Sequence, residues 1–263
     1  MDTKKKSKIL VLSDLNESTV KTLKSSVSLA KIVNADIHFL YVKKPTDVVE
    51  KESQLSAMRT INKEYFTADK KIKDLISPIS SDYNVNISHT FTIGNVKNEI
   101  ESYIDKNQPD IIVIEKRKSK GFRFIGDNIT QFILKKHKGP IVIADDKNSF
   151  EPDIELSLGI FNHYNTDNKF VESIISSTPK PLLSFQISES KNKLKDELLS
   201  KDKKTIEYIF EKGDDAIKNI SNYLLKSNVN LLFINRKENN ANSVKTNIND
   251  VINNINCSII LTT

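Results

Sequence analysis

The chain has 263 residues, 38% hydrophobic and 28% charged, with a formal net charge of +6. Such a composition belongs to a globular protein with one large or two small cores, and no apolar run approaches the roughly 18–20 residues of a membrane span. The single cysteine, Cys257, excludes an intrachain disulfide, and the apolar run at 9–12 is too short for a secretory signal, so the expected compartment is the cytoplasm.

Short apolar runs alternate with helical patterns along the chain, which is the signature of βαβ units and a mainly parallel sheet. The first strand is expected over residues 8–13, followed by a helix over 18–33 with Val20, Leu23, Val27 and Ala30 on one stripe. A second strand covers 36–42. The next helix starts near residue 47, carries Met58, Ile61, Tyr65, Ala68, Ile72 and Leu75 at spacings of three and four, and is expected to end at Pro78. Residues 85–91 alternate as a half-buried third strand.

Gly94 precedes a helix whose apolar stripe is Val96, Ile100, Tyr103 and Ile104. The run Ile111-Ile112-Val113-Ile114 has the β-branched continuity of a strand covered on both faces. A basic loop over 115–123 leads to a helix carrying Ile125, Ile129, Phe132 and Ile133, and a fifth strand covers 141–144. Residues 145–155 are polar, hold Pro152 and show no period, as a linker would.

The second part repeats the first. Ile100, Tyr103, Ile104 and the strand 111–114 recur as Ile220, Tyr223, Leu224 and the strand 231–234, at a constant offset of 120. Strands at 181–187, 204–210 and 259–261 fill the places of strands two, three and five. The copy is abbreviated, with only Leu194, Leu198 and Leu199 marking a helix between its second and third strands and a weakly marked first strand at 156–161. The expected domains are 1–147 and 157–263, joined by a linker at 148–156.

A strand ending in Asp14 with Ser18 and a helix close behind resembles the opening of universal stress proteins. So do Gly94 ahead of a helix, Pro109-Asp110 leading into 111–114, and Phe124-Ile125-Gly126-Asp127 followed by a helix and Gly139-Pro140. The resemblance covers residues 7–145 and, more faintly, 157–262. It implies an α/β fold of two tandem, doubly wound, five-stranded parallel sheets with strand order 3-2-1-4-5, like that of adenine nucleotide α-hydrolases. It also implies that the two halves pair through their last strands, as an intramolecular pseudo-dimer.

In an open α/β sheet, ligands sit beyond the carboxyl ends of the strands where the order reverses, here between strands one and four. ATP-binding members of the family carry Gly-x-x-Gly after strand four and a Gly-Ser or Gly-Thr nine residues later, where bare amides approach phosphate. This chain has Glu115 and Lys118 in place of the first two glycines, Gly126 two residues early, and Asp127 in place of the hydroxyl residue. Its second half has no glycine at 235–240. The resemblance therefore implies a crevice with a degenerate motif that does not hold ATP.

Against this stands a cationic cluster. Three of the four arginines, Arg117, Arg123 and Arg236, fall in the two post-strand loops. The candidate anion or nucleotide site is Asp14, Lys116, Arg117, Lys118, Lys120, Arg123 and Gly126, with a solvated basic loop as the plainer reading. The four histidines lack zinc-ligand spacing, no nucleophile elbow surrounds Ser13, and no aromatic-basic alternation marks a nucleic-acid platform. The expectation is a non-catalytic stress protein without cofactor or metal, acting through an unidentified protein partner or as a homodimer, away from nucleic acid and membrane. The alternative is a sensor of ATP, another adenine nucleotide or another anion in the first crevice.

Overall fold

The β-branched runs form strands and the periodic stretches form helices. A computed structural model describes residues 6–48, 54–116, 129–162, 169–188, 204–236 and 247–262. The chain divides into two units, Met1–Lys138 and Gly139–Thr263.

The first unit contains β1 (Ser7–Leu12), α1 (Thr19–Val33), β2 (Ala35–Lys43), α2 (Gln54–Tyr83), β3 (Ile87–Ile93), α3 (Val96–Asn107), β4 (Ile111–Glu115) and α4 (Ile129–Lys136). Its strands are parallel in the order β3-β2-β1-β4, the α/β arrangement expected. Val11 sits in register between Phe39 and Val113, and all three are buried. Each such side chain contributes about 1.5–3 kcal/mol on leaving water.

Helix α2 differs from expectation in two ways. It runs through Pro78 to Tyr83, with Pro78 exposed, so the carbonyl that loses its amide partner is on the wet side. Its buried residues are Ala68, Ile72, Ile76 and Ile79, while Met58 is 58% exposed. A stripe held at a 3.5-residue period drifts about 20° per heptad around a straight helix, so a 30-residue helix cannot keep it on the sheet.

Edge strand β3 is fastened on one face by His38, whose Nδ1 and Nε2 lie 2.8 and 2.9 Å from the hydroxyls of Ser88 and Thr90. On the other face Asp69 of α2 holds both His89, at 2.8 Å, and Lys73, at 2.7 Å. Helix α3 starts at Asn95, whose Oδ1 accepts the amides of Lys97 and Asn98.

The second unit contains β5 (Ile141–Ala144), β6 (Leu158–Phe161), α5 (Lys169–Ser177), β7 (Leu182–Ser188), β8 (Thr205–Glu211), α6 (Ala216–Lys226), β9 (Leu231–Asn235), α7 (Ile248–Asn254) and β10 (Ser258–Thr262). The parallel order β8-β7-β6-β9-β10 reproduces the pattern 3-2-1-4-5. Strand β5 belongs to this unit and runs antiparallel to β10, with Ile143 opposite Ile259 and Ile141 opposite Leu261.

The stretch read as a linker is packed here. Phe150 and Leu156 are buried, and Asn148 donates to the Val229 carbonyl at 2.6 Å. The first strand of the repeat was weakly marked because of Gly159. A Cβ there would stand 3.0 Å from Leu232 and from Val229 and 3.2 Å from Leu224, so α6 and β9 pack where a side chain would be. The helix expected around Leu194, Leu198 and Leu199 lies outside the described residues.

Candidate functional site

The carboxyl ends of β1 and β4 lie side by side, Leu12 in register with Ile114. The residues leaving them therefore face each other. After β1 the chain turns through Ser13, Asp14, Leu15 and Asn16 into α1. Leu15 has φ 56°, a left-handed conformation rare for a side chain of its size. Asn16 stabilises the turn from within, its Oδ1 accepting the Ser18 amide at 2.7 Å and its carbonyl the Thr19 amide at 3.1 Å.

Glu115, the last residue of β4, is 6% exposed. Its Oε2 accepts the Ser13 hydroxyl at 2.9 Å and its Oε1 accepts the Asn16 amide at 2.6 Å. Ser13 Oγ is also 2.8 Å from Thr19 Oγ1. Since the single Ser13 proton goes to the carboxylate, Thr19 is the donor in that second bond. A relay thus runs from the first turn of α1 through Ser13 to Glu115, between the ends of β1 and β4.

The space that remains beside this relay is about 30 Å³. Leu12, Leu40, Val42, Ile100 and Ile114 line it, with Ser13, Asp14, Glu115 and Thr130 as its polar members. That volume suits a water or two. Tyr41 nearby has its hydroxyl pKa pushed up by burial first and then by the charges of Asp14, Glu64 and Asp47.

Of the residues expected to form an anion site, the structure brings together Asp14 and Lys116 at the ends of neighbouring strands, Asp14 exposed and Lys116 half-buried. Arg117, Lys118, Lys120, Arg123 and Gly126 lie outside the described residues, as does Asp127. Ser13, Asn16, Thr19 and Thr130 were not singled out as ligands. The signal available was a cluster of hydroxyl and amide side chains just after the first strand, which also reads as ordinary helix capping.

In the second unit, Arg236 is the third arginine of the post-strand loops and stands outside the candidate set. It is half-buried, its Nη2 donates to the Gly139 carbonyl at 2.7 Å, and its amide donates to the Thr262 carbonyl at 2.7 Å. Burial pulls its guanidinium pKa down. Its place is to clamp the start of β5 to the ends of β9 and β10. Tyr103 and Tyr223, expected as core, are half-buried, and Tyr223 stands in an aromatic cluster with Phe185, Tyr208 and Phe210. Among the described residues, no three His, Cys, Asp or Glu side chains gather as a metal site, and no helix is long and apolar enough to cross a membrane.

A model of the universal stress protein family matches residues 6–144. Among solved structures, a universal stress protein from Archaeoglobus fulgidus DSM 4304 is similar over 97% of this chain and 98% of its own, at 15% identity and TM-score 0.66. A functionally unknown protein from Pseudomonas aeruginosa PAO1 is similar over 97% and 92%, at 10% identity and TM-score 0.53. At these identities the likeness is one of fold. No curated protein sequence matches.

Proposed function

The chain belongs to the universal stress protein family, and from that premise we propose that it is a non-catalytic, cytoplasmic, tandem member that acts through protein contacts without binding ATP. The reading also has one chain carry both repeats, able to serve as its own pseudo-dimer or to form a homodimer.

The observation that carries it is Glu115. In the position where an open crevice needs a residue without a side chain, a buried carboxylate is bonded to Ser13 and Asn16. A phosphate brought there meets a like charge, and Coulomb energies of roughly 4 kcal/mol at 4 Å oppose it at an effective dielectric constant near 20.

Thermal melting of the full chain with ATP, ADP, AMP and cyclic AMP tests this. A ligand at 100 times its Kd adds about 2.7 kcal/mol of stability. Unchanged melting in all four supports the reading. A saturable, dose-dependent rise selects a nucleotide sensor instead, and turnover that follows the protein through two orthogonal columns selects an enzyme.

A further inference from the structure

The end of β4 and the turn after β1 hold a carboxylate the way proteins hold a bound anion. Both oxygens of Glu115 are met by donors from another part of the chain, Asn16 Nδ2 at 2.6 Å and Ser13 Oγ at 2.9 Å. The Ser13 hydroxyl is in turn supported by Thr19 at 2.8 Å. Thr19 opens α1, a 15-residue helix, whose first turn carries partial positive charge and has no acidic side chain. Neutral donors converging beside a helix start are what a free carboxylate or phosphate requires.

We propose that Glu115 is a resident anion: its carboxylate takes the place, between β1 and β4, that a diffusible carboxylate or phosphate would occupy, and keeps the crevice in its filled arrangement without a ligand. The inference rests on the reading of this crevice as closed to ATP and supplies its cause. The site has not lost its donors; they are already engaged.

Three further observations agree. Glu115 is almost fully buried, so its charge relies on protein partners rather than on water. The space left beside it is small, about 30 Å³, and lined mostly by aliphatic side chains. Leu15 is held at φ 56° in the same turn, a conformation that persists when its surroundings fix it.

The test uses the full chain as Glu115→Ala and Glu115→Gln, with formate, acetate and inorganic phosphate as probes and chloride at matched ionic strength as control. Thermal melting and hydrogen exchange across residues 13–19 are the readouts. Wild type should respond to the three probes no more than to chloride. Glu115→Ala should melt lower by about 4–10 °C, with faster exchange across the turn. At millimolar concentration formate, acetate or phosphate should recover half of that loss or more beyond their effect on wild type, and a second change, Asn16→Ala, should abolish the recovery.

Glu115→Gln should also melt below wild type, since one end of the amide presents hydrogens to donors, and its bulk should prevent recovery by the probes. Glu115→Ala melting like wild type, or recovering no further than chloride allows, overturns the proposal. If Glu115→Ala does not fold, Glu115→Gln decides: melting equal to wild type overturns it and lower melting supports it. A rise of wild type with ATP breaks the functional reading, and failure of the anions to rescue Glu115→Ala breaks this one.

Discussion

His38 lies against Tyr103 with ring centroids 4.9 Å apart and planes 24° from parallel. Its two nitrogens meet Ser88 and Thr90, so one imidazole joins β2, β3 and α3. A neutral imidazole has one donor and one acceptor nitrogen, which the two hydroxyls can match by rotating. Burial, and then repulsion from His89, keep its pKa below the usual histidine value. The unfolded chain therefore binds this proton more readily, and stability rises with pH. The stabilisation should be complete above about pH 6.5 and be lost as pH falls through the lower folded value. Denaturant melts between pH 5 and 8 should show this slope, and His38→Gln should flatten it.

The Asn16 amide should matter to stability more than its exposed position suggests. Asn16→Ala leaves a buried carboxylate oxygen short of a donor and removes the acceptor of the Ser18 amide. A loss of about 1–3 kcal/mol is expected in urea unfolding. Asn16→Asp should cost at least as much, because it sets a second carboxylate against Glu115.

Two glycines make a paired test. At Gly159 a Cβ meets Leu232, Val229 and Leu224 at 3.0–3.2 Å, while nothing lies within 4 Å of one at Gly213. Gly159→Val should destabilise the second unit by about 1–3 kcal/mol through overpacking. Gly213→Ala should stay within about 0.5 kcal/mol of wild type. Equal effects at the two positions would contradict the packing described for β6.

Helix α2 should divide along its length. Ile72 is fully buried, whereas Phe66 is 80% exposed and Leu55 75%. Ile72→Ala should cost about 2–5 kcal/mol, and Phe66→Ser or Leu55→Ser about 0.5 kcal/mol or less. Thermal melts of the three variants would check this.

The strands were legible because a β-branched run such as Ile111-Ile112-Val113-Ile114 has few other uses. The order of α3 and β4 was legible through its copy 120 residues later. Helix α5 had no such aid: its three buried residues, Val171, Ile174 and Ile175, make too short a stripe to announce a helix. The polar stretch after Ala144 read as a linker because composition does not reveal that Phe150 and Asn148 find partners in the second unit. At the site, Asp14 and Glu115 could be placed by their strand ends. The bond from Ser13 to Glu115 joins positions 102 apart, and neither residue type signals the other.

The assignment of β5 to the second unit has a consequence for how the protein is made. A ribosome releases β5 before any of the later repeat, so the partner for β10 is waiting when Ile259, Ile260 and Leu261 emerge. A gene trimmed to begin at residue 148 would deliver the later repeat with that edge bare and apolar, the kind of strand that seeks a neighbouring chain. Shortened versions meant to keep β10 paired should therefore start ahead of Gly139.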